Sequence, residues 1–216
     1  MSKQIKNIIL DFDYTLFNAA SFKREMMSEF VKLGVTQKVF KQTYKQAIAT
    51  TKNSYDYSVG KHLALIAKQK VNFNSKQAKV SIDRVITESA KHLYAQSHIF
   101  LKSLSSKGYK LVLVTRGNKT WQALKIKNTK VNHYFDKIII SPKWKTDSLQ
   151  KMTKIVKYAY FVSDHIDEVT DTKKFVNTYQ PILKLRYRKD LRVAKNFNIP
   201  AFRTLREIQS YILKNS

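Results

Sequence analysis

Residues 8–17 read IILDFDYTLF, with Asp11 and Asp13 placed directly behind a short apolar run. That run, residues 5–11, is rich in β-branched side chains and too short to pack as a helix, so it reads as a buried strand. One acid at a strand end means little, because Asp commonly caps a following helix. A second acid two residues on, followed by Thr15, is a different pattern, since both carboxylates can face one ligand if the chain turns there.

Four more β runs follow at residues 110–114, 137–140, 158–162 and 182–187. They alternate with helical patterns at about residues 120–126, 146–156, 167–176 and 205–213. Alternation of this kind implies crossover connections and a doubly wound, mostly parallel, Rossmann-like α/β sheet. Gly108 suits the left-handed residue after a helix. Between the first strand and the rest, residues 20–94 switch to helical spacing, punctuated by Gly34, Asn53, Gly60 and the Asn72, Asn74, Ser75 cluster. About four helices are expected there, as an insertion into the sheet domain. The expected division is therefore core at 1–17, helical cap at 18–94 and core again at 95–216.

Ligands of parallel α/β sheets gather at the carboxyl ends of the strands. The first run ends in Asp11-Phe12-Asp13-Tyr14-Thr15 and the second in Thr115-Arg116-Gly117-Asn118. The third is followed by Ser141-Pro142-Lys143-Trp144-Lys145 and the fourth by Ser163-Asp164-His165-Ile166-Asp167-Glu168. Taken singly, each of these groups has an ordinary structural reading. Their convergence on one rim is harder to dismiss.

In order and strand context these four segments resemble the signatures of the haloacid dehalogenase superfamily of phosphohydrolases. IILDFDYTLF matches the pattern D-x-D-x-T-L, LVLVTRGN an apolar strand closing on Thr, and YFVSDHIDE an apolar strand followed by two acids with three residues between. The resemblance implies Asp11 as nucleophile, Asp13 as general acid and base, Thr115 as a hydrogen-bond donor to phosphate, and Lys145, chosen over Lys143 and Lys151, as the phosphate lysine. Asp11, Asp13, Asp164 and Glu168 become the candidate metal ligands, with Asp167 one place out of register. Thr15, Arg116, Gly117 and Asn118 are candidate substrate contacts. Tyr14 and Arg116 depart from the smaller residues common at those places.

The chemistry is consistent with those roles. A carboxylate attacks a phosphate ester only if repulsion between two anions is overcome, which a shared divalent cation does. Hard oxygen ligands select Mg²⁺. The resemblance further implies that the insertion is a cap that closes over a small phosphorylated metabolite, with hinges at residues 18–20 and 94–97. Lys23 and Lys52 are candidate cap contacts. An acid at position 13 favours phosphoester chemistry over dehalogenation, and a phosphomutase would use the same residues.

Composition bounds the alternatives. The 216 residues are 43% hydrophobic, enough for one substantial core. No apolar stretch is long enough to span a membrane, and there is no cysteine, which suits the cytoplasm. None of the five histidines forms a two-ligand zinc spacing. The formal charge of +26 attracts polyanions, but the basic residues are spread along the chain as 33 Lys and only 8 Arg. This looks as much like coding bias as like a binding surface. The densest basic segment, KLRYRKDLR at residues 184–192, supports an alternative: a nucleic-acid-associated protein, either a polynucleotide-end phosphatase or a basic binding module on the same fold. A solvated edge strand and loop is the plainer reading of that segment. Trp121, Trp144 and Phe161 read as packing residues.

Overall fold

The computed structural model describes residues 5–48, 57–69 and 73–216. Six parallel strands form one sheet: β1 (Asn7–Leu10), β2 (Lys110–Arg116), β3 (Lys137–Ser141), β4 (Ala159–Ser163), β5 (Tyr179–Lys184) and β6 (Ala201–Phe202). Their spatial order is β3-β2-β1-β4-β5-β6. The chain winds outward through β2 and β3 on one side of β1 and through β4, β5 and β6 on the other. The direction of winding reverses at β1, and the crevice above its carboxyl end is where such a sheet receives ligands.

Alternate side chains of each strand serve opposite faces. Ile8, Leu10, Leu111, Leu113, Tyr160, Val162 and Ile182 join one apolar cluster, and Ile9, Val112, Val114, Phe161 and Leu183 join the other. Helices α5 (Ser97–Ser106) and α10 (Leu205–Lys214) supply Phe100, Leu104, Ile208 and Ile212 to the first. Helices α7 (Lys145–Met152), α8 (Ile166–Phe175) and α9 (Asp190–Asn196) supply Leu149, Val169 and Ala194 to the second. Phe161 is fully buried, as expected of a packing residue. Gly108 is left-handed at φ 80°, where the Tyr109 amide reaches the Leu104 carbonyl and ends α5.

Segment 188–200, where the sequence reading placed no element, holds α9 and leads into β6. Both elements are too short for periodicity to register. β6 is the edge strand, so β5 lies inside the sheet, and Lys184 at its end is buried rather than solvated.

Between β1 and β2 the described residues form α1 (Ala19–Lys32), α2 (Gln37–Ile48), α3 (Val59–Ala67) and α4 (Ser75–Thr87). Asn18, Ser58 and Asn74 cap α1, α3 and α4 by accepting backbone amides. The core of this insert is aromatic and continuous with the first sheet cluster through Phe22, Met26, Phe30, Phe40 and Ile66. The two connections to the sheet run side by side: the Asn18 amide donates to the His92 carbonyl at 2.7 Å and the Tyr94 amide to the Leu16 carbonyl at 3.0 Å.

His62 of α3 is the polar centre of the insert core. It is fully buried among Phe30, Phe40, Tyr44 and Tyr57. The Thr43 hydroxyl donates to the Val39 carbonyl at 2.7 Å, so its oxygen accepts from His62 Nε2 at 3.0 Å, leaving Nδ1 to accept from the Tyr57 hydroxyl at 3.0 Å. This arrangement requires a neutral imidazole. Burial lowers the pKa of His62 from 6.5 to about 4. The unfolded chain therefore takes up a proton at higher pH than the folded one, and the stabilisation present above pH 6.5 is lost as the pH falls toward 4. Its magnitude is ~3 kcal/mol. Urea denaturation across that window is expected to be steeper in pH for the native protein than for His62→Gln, and coincident slopes would contradict this account.

Candidate active site

β1 delivers Asp11 to the carboxyl edge of the sheet, where its amide donates to the Val162 carbonyl of β4 at 2.9 Å. The strand cannot continue. The Phe12 carbonyl accepts from the amides of Thr15, Leu16 and Phe17 at 3.3, 2.9 and 3.0 Å, and Tyr14 takes a left-handed conformation at φ 62°. This tight loop brings Asp11 and Asp13 to one pocket and turns Thr15 inward. Thr15 Oγ1 donates to Asp11 Oδ2 at 3.3 Å and accepts from the Asp164 amide at 3.1 Å. Expected as a substrate contact, Thr15 is instead fully buried and ties the loop after β1 to the end of β4.

Lys145 opens α7 with its ammonium between two acids. Its Nζ lies 2.5 Å from Asp11 Oδ1 and 2.8 Å from Glu168 Oε2, which also accepts from Ser163 Oγ at 2.7 Å. Of the three lysines weighed from sequence, Lys143 and Lys151 are exposed and Lys145 is buried. Glu168 is buried against Lys145, whereas Asp167 is exposed.

The electrostatics follow from burial and charge. Burial opposes the Lys145 ammonium, but Asp11 and Glu168 outweigh it and raise its pKa. Burial likewise opposes the Glu168 carboxylate, yet Lys145 and the Ser163 hydrogen bond lower its pKa. Asp11 goes the other way: burial, with Glu168 and Asp164 adding to it against Lys145, pushes it up to about 8. Burial also raises Asp164, opposed by Lys145 and by Arg186, whose Nη1 is 3.3 Å from Asp164 Oδ2. Around these three buried acids stand Lys145, Arg186 and Lys184, and Asp11 and Asp164 still sit above the usual carboxylate range.

Those two carboxyls fit a hard divalent cation, whose charge would offset their burial. Among the described residues no cluster of three or more His, Cys, Asp or Glu side chains is arranged to hold a metal. A cation would therefore rest on Asp11 and Asp164 and complete its shell with water and ligand oxygens, the composition that suits Mg²⁺. The sequence grouped Asp13 and Glu168 with them; here Asp13 pairs with Lys125, and Glu168 shares Lys145 with Asp11. Lys125 Nζ donates to Asp13 Oδ1 and Oδ2 at 2.7 and 2.9 Å, as Lys145 does to Glu168.

Asp13 is further held by Gln122, whose Nε2 lies 2.8 Å from Asp13 Oδ2, 3.0 Å from Thr115 Oγ1 and 2.9 Å from the Arg116 carbonyl. Gln122 gets this close because residue 117 is glycine: a Cβ there would stand 3.0 Å from Gln122 Cγ, on a backbone at φ 147°. Gly117 is thus a packing requirement, its amide bonded to the Ser141 carbonyl at 2.9 Å. Asn118 caps α6 (Lys119–Asn128) through the Trp121 amide at 3.0 Å. Arg116 lines the pocket with its guanidinium 4.6 Å from the centre of the Trp144 ring.

Gln122, Lys125, Lys184 and Arg186 were not singled out from the sequence. Asn118, Gln122 and Lys125 recur at helical spacing on one face of α6, a signal that was available. Lys184 donates to the Tyr14 carbonyl at 2.9 Å and lies 4.0 Å from the Tyr94 ring centre, while Arg186 sits 3.2 Å from the Tyr14 ring centre. These two belong to the basic segment read as a solvated edge, and the end of β5 aims them at the site instead. Trp121, read as packing, lines the pocket, while Trp144 packs against His165 and donates to Asp171 Oδ2 at 3.0 Å. Lys23 also lines the pocket, whereas Lys52 lies outside the described residues.

Replacing Lys145 strands two buried carboxylates. Lys145→Met is expected to destabilise the protein by ~3–5 kcal/mol at pH 8. The loss should shrink toward pH 5 as the orphaned acids take up protons, and a deficit independent of pH in urea titrations would refute the ion-pair account.

The family model for haloacid dehalogenase-like hydrolases matches residues 8–158. No curated protein matches the chain. Among solved structures it is similar to the L-2-haloacid dehalogenase of Xanthobacter autotrophicus with chloropropionic acid covalently bound, at 15% identity over 96% of this chain and 98% of that one, with a TM-score of 0.62. It is similar also to a predicted phosphoglycolate phosphatase from Haemophilus somnus, at 15% identity over 98% and 99% of the two chains, TM-score 0.60. A magnesium-bound protein from Bacillus subtilis, named as a HAD-hydrolase, shares 13% identity over 97% and 99%, TM-score 0.61. Likeness at these identities speaks for the fold. The family match spans more than half of the sequence, and the chain belongs to the haloacid dehalogenase-like hydrolases.

Proposed function

We propose that this hydrolase is a Mg²⁺-dependent phosphatase of a small phosphomonoester, acting through an aspartyl-phosphate on Asp11. The observation that carries the reading is the pairing of Asp11 with Asp13 in one pocket, Asp13 held by Lys125 and Asp11 by the Lys145 it shares with Glu168. Dehalogenation at carbon has no leaving alkoxide to protonate and no need of the second acid.

In this scheme an Asp11 carboxylate oxygen forms a bond to phosphorus as the ester P–O bond breaks, and the departing oxygen takes a proton from Asp13. Lys125 and Gln122 fix where the Asp13 carboxyl points. Asp13 then removes a proton from water, the water oxygen attacks phosphorus, and Asp11 leaves with phosphate released. Lys145 and the Thr115 hydroxyl face the phosphoryl oxygens, whose charge persists through a loose transition state. Mg²⁺ bound by Asp11 and Asp164 would screen the repulsion between nucleophile and phosphate.

The helical insert acts as the cap, opening about residues 18–20 and 94–97, where two strands of backbone cross side by side. The pocket between insert and sheet, about 340 Å³, suits a small metabolite. The nucleic-acid alternative loses part of its support because Lys184 and Arg186 turn toward the site.

Turnover of a phosphomonoester panel should require Mg²⁺, stop on chelation, and fall at least ~10³-fold in Asp11→Asn. Undiminished activity in that variant ends the proposal. Asp13→Asn should slow alkyl phosphates far more than 4-nitrophenyl phosphate, whose leaving group needs no proton; equal slowing would remove Asp13 as the acid.

A further inference from the structure

The pocket has two chemically distinct ends. The floor, at the sheet edge, holds the acids with Lys145 and Thr115. The opposite wall is aromatic. Phe22 of α1 lies 5.9 Å and Tyr57 lies 4.9 Å from Trp121 of α6, and Tyr44 of α2 lies 5.1 Å from Tyr57, all between ring centres. These four rings line one continuous surface drawn from both the insert and the sheet domain.

One cation from the insert stands on that wall. Lys23 Nζ lies 4.0 Å from the centre of the Tyr44 ring. Among the described residues no carboxylate pairs with it. The charged neighbour that acts on it is another lysine, Lys41, which together with burial lowers its pKa. Elsewhere the partly buried lysines of the pocket have acids: Lys145 has Asp11 and Glu168, and Lys125 has Asp13. Among the described residues Lys23 is thus a pocket cation beside a second positive charge and without a counter-ion.

We infer that the site takes a phosphomonoester whose alcohol part carries a planar aromatic or heteroaromatic ring and, beyond the ring, a second anionic group. The phosphoryl end sits on the floor, the ring lies along the aromatic wall, and the far anion meets Lys23. Ring faces and edges favour a planar partner over a saturated one of the same size. The far anion would pair with Lys23, which no described carboxylate does, and is drawn by Lys41 as well. This deepens the phosphatase reading and rests on it for the orientation of the ligand.

Binding separates the two claims. The native protein with Mg²⁺ is titrated calorimetrically with methylphosphonate, cyclohexylmethylphosphonate, benzylphosphonate and 4-carboxybenzylphosphonate, none of which can be hydrolysed. Benzylphosphonate should bind more tightly than its cyclohexyl analogue, and the added carboxylate should tighten binding a further ~10-fold. That gain should vanish in Lys23→Met and in Lys23→Gln, with circular dichroism confirming that at least one is folded. Equal affinity for the methyl and benzyl compounds, no binding of any, or a carboxylate gain that survives in the folded Lys23 variant overturns the inference. Turnover of the corresponding phosphates is measured in parallel. Ring-selective binding without hydrolysis rejects the phosphatase while keeping the subsite, and hydrolysis with no ring preference does the reverse.

Discussion

The ammonium of Lys145 makes the rest of the site possible. It stands between Asp11 and Glu168, at 2.5 and 2.8 Å, in a place with almost no solvent. Two like charges ~4 Å apart repel by about 4 kcal/mol at an effective dielectric near 20. A sheet edge that gathers Asp11, Asp164 and Glu168 therefore has to be built around a cation. Lys145 can serve because it opens α7 directly behind β3, and the short Ser163 to Glu168 spacing after β4 brings the second acid down to meet it. Burial still holds Asp11 and Asp164 above the usual carboxylate range, which is the physical case for a divalent ion.

The insert and the loop after β1 are joined by packed aromatic rings. Phe12, Phe17 and Phe22 pack in sequence, with ring centres 5.0 and 5.4 Å apart, from the loop into the first turn of α1. Lys125, which holds Asp13, lies 5.5, 5.1 and 5.8 Å from these same three rings. Motion of the insert therefore reaches the catalytic loop through packed side chains, and a ligand seated against the aromatic wall would bear on the placement of Asp13. The neutral His62 network keeps Tyr57 in its place on that wall.

The large positive charge has a divided meaning. Arg188, Lys189 and Arg192 are exposed and contribute only to the general field. Lys184, from the same run, is buried against Tyr14, and Arg186, itself exposed, reaches Tyr14 and Asp164. A segment that reads as one basic patch is thus split by strand geometry, because alternate residues at the end of β5 share the face turned to the site.

The alternation of strands and helices, the insertion after the first strand and the placement of chemistry at the strand ends were legible from residue order, because hydrophobic period and strand-end polarity are local properties. Asp11 and Thr115 stand out as the first polar groups beyond their apolar runs, whereas Lys145 and Asp164 were picked out by the family resemblance. What tertiary structure alone decided was partnership. Thr15 looked like a ligand contact and became an internal tie, because the left-handed Tyr14 turns it inward toward β4. Asp13 looked like a metal ligand and acquired Lys125 and Gln122, which lie more than a hundred residues away in sequence. Charges and hydrogen bonds act through space, so which acid receives which cation is a property of the packed sheet and helices and cannot be read along the chain.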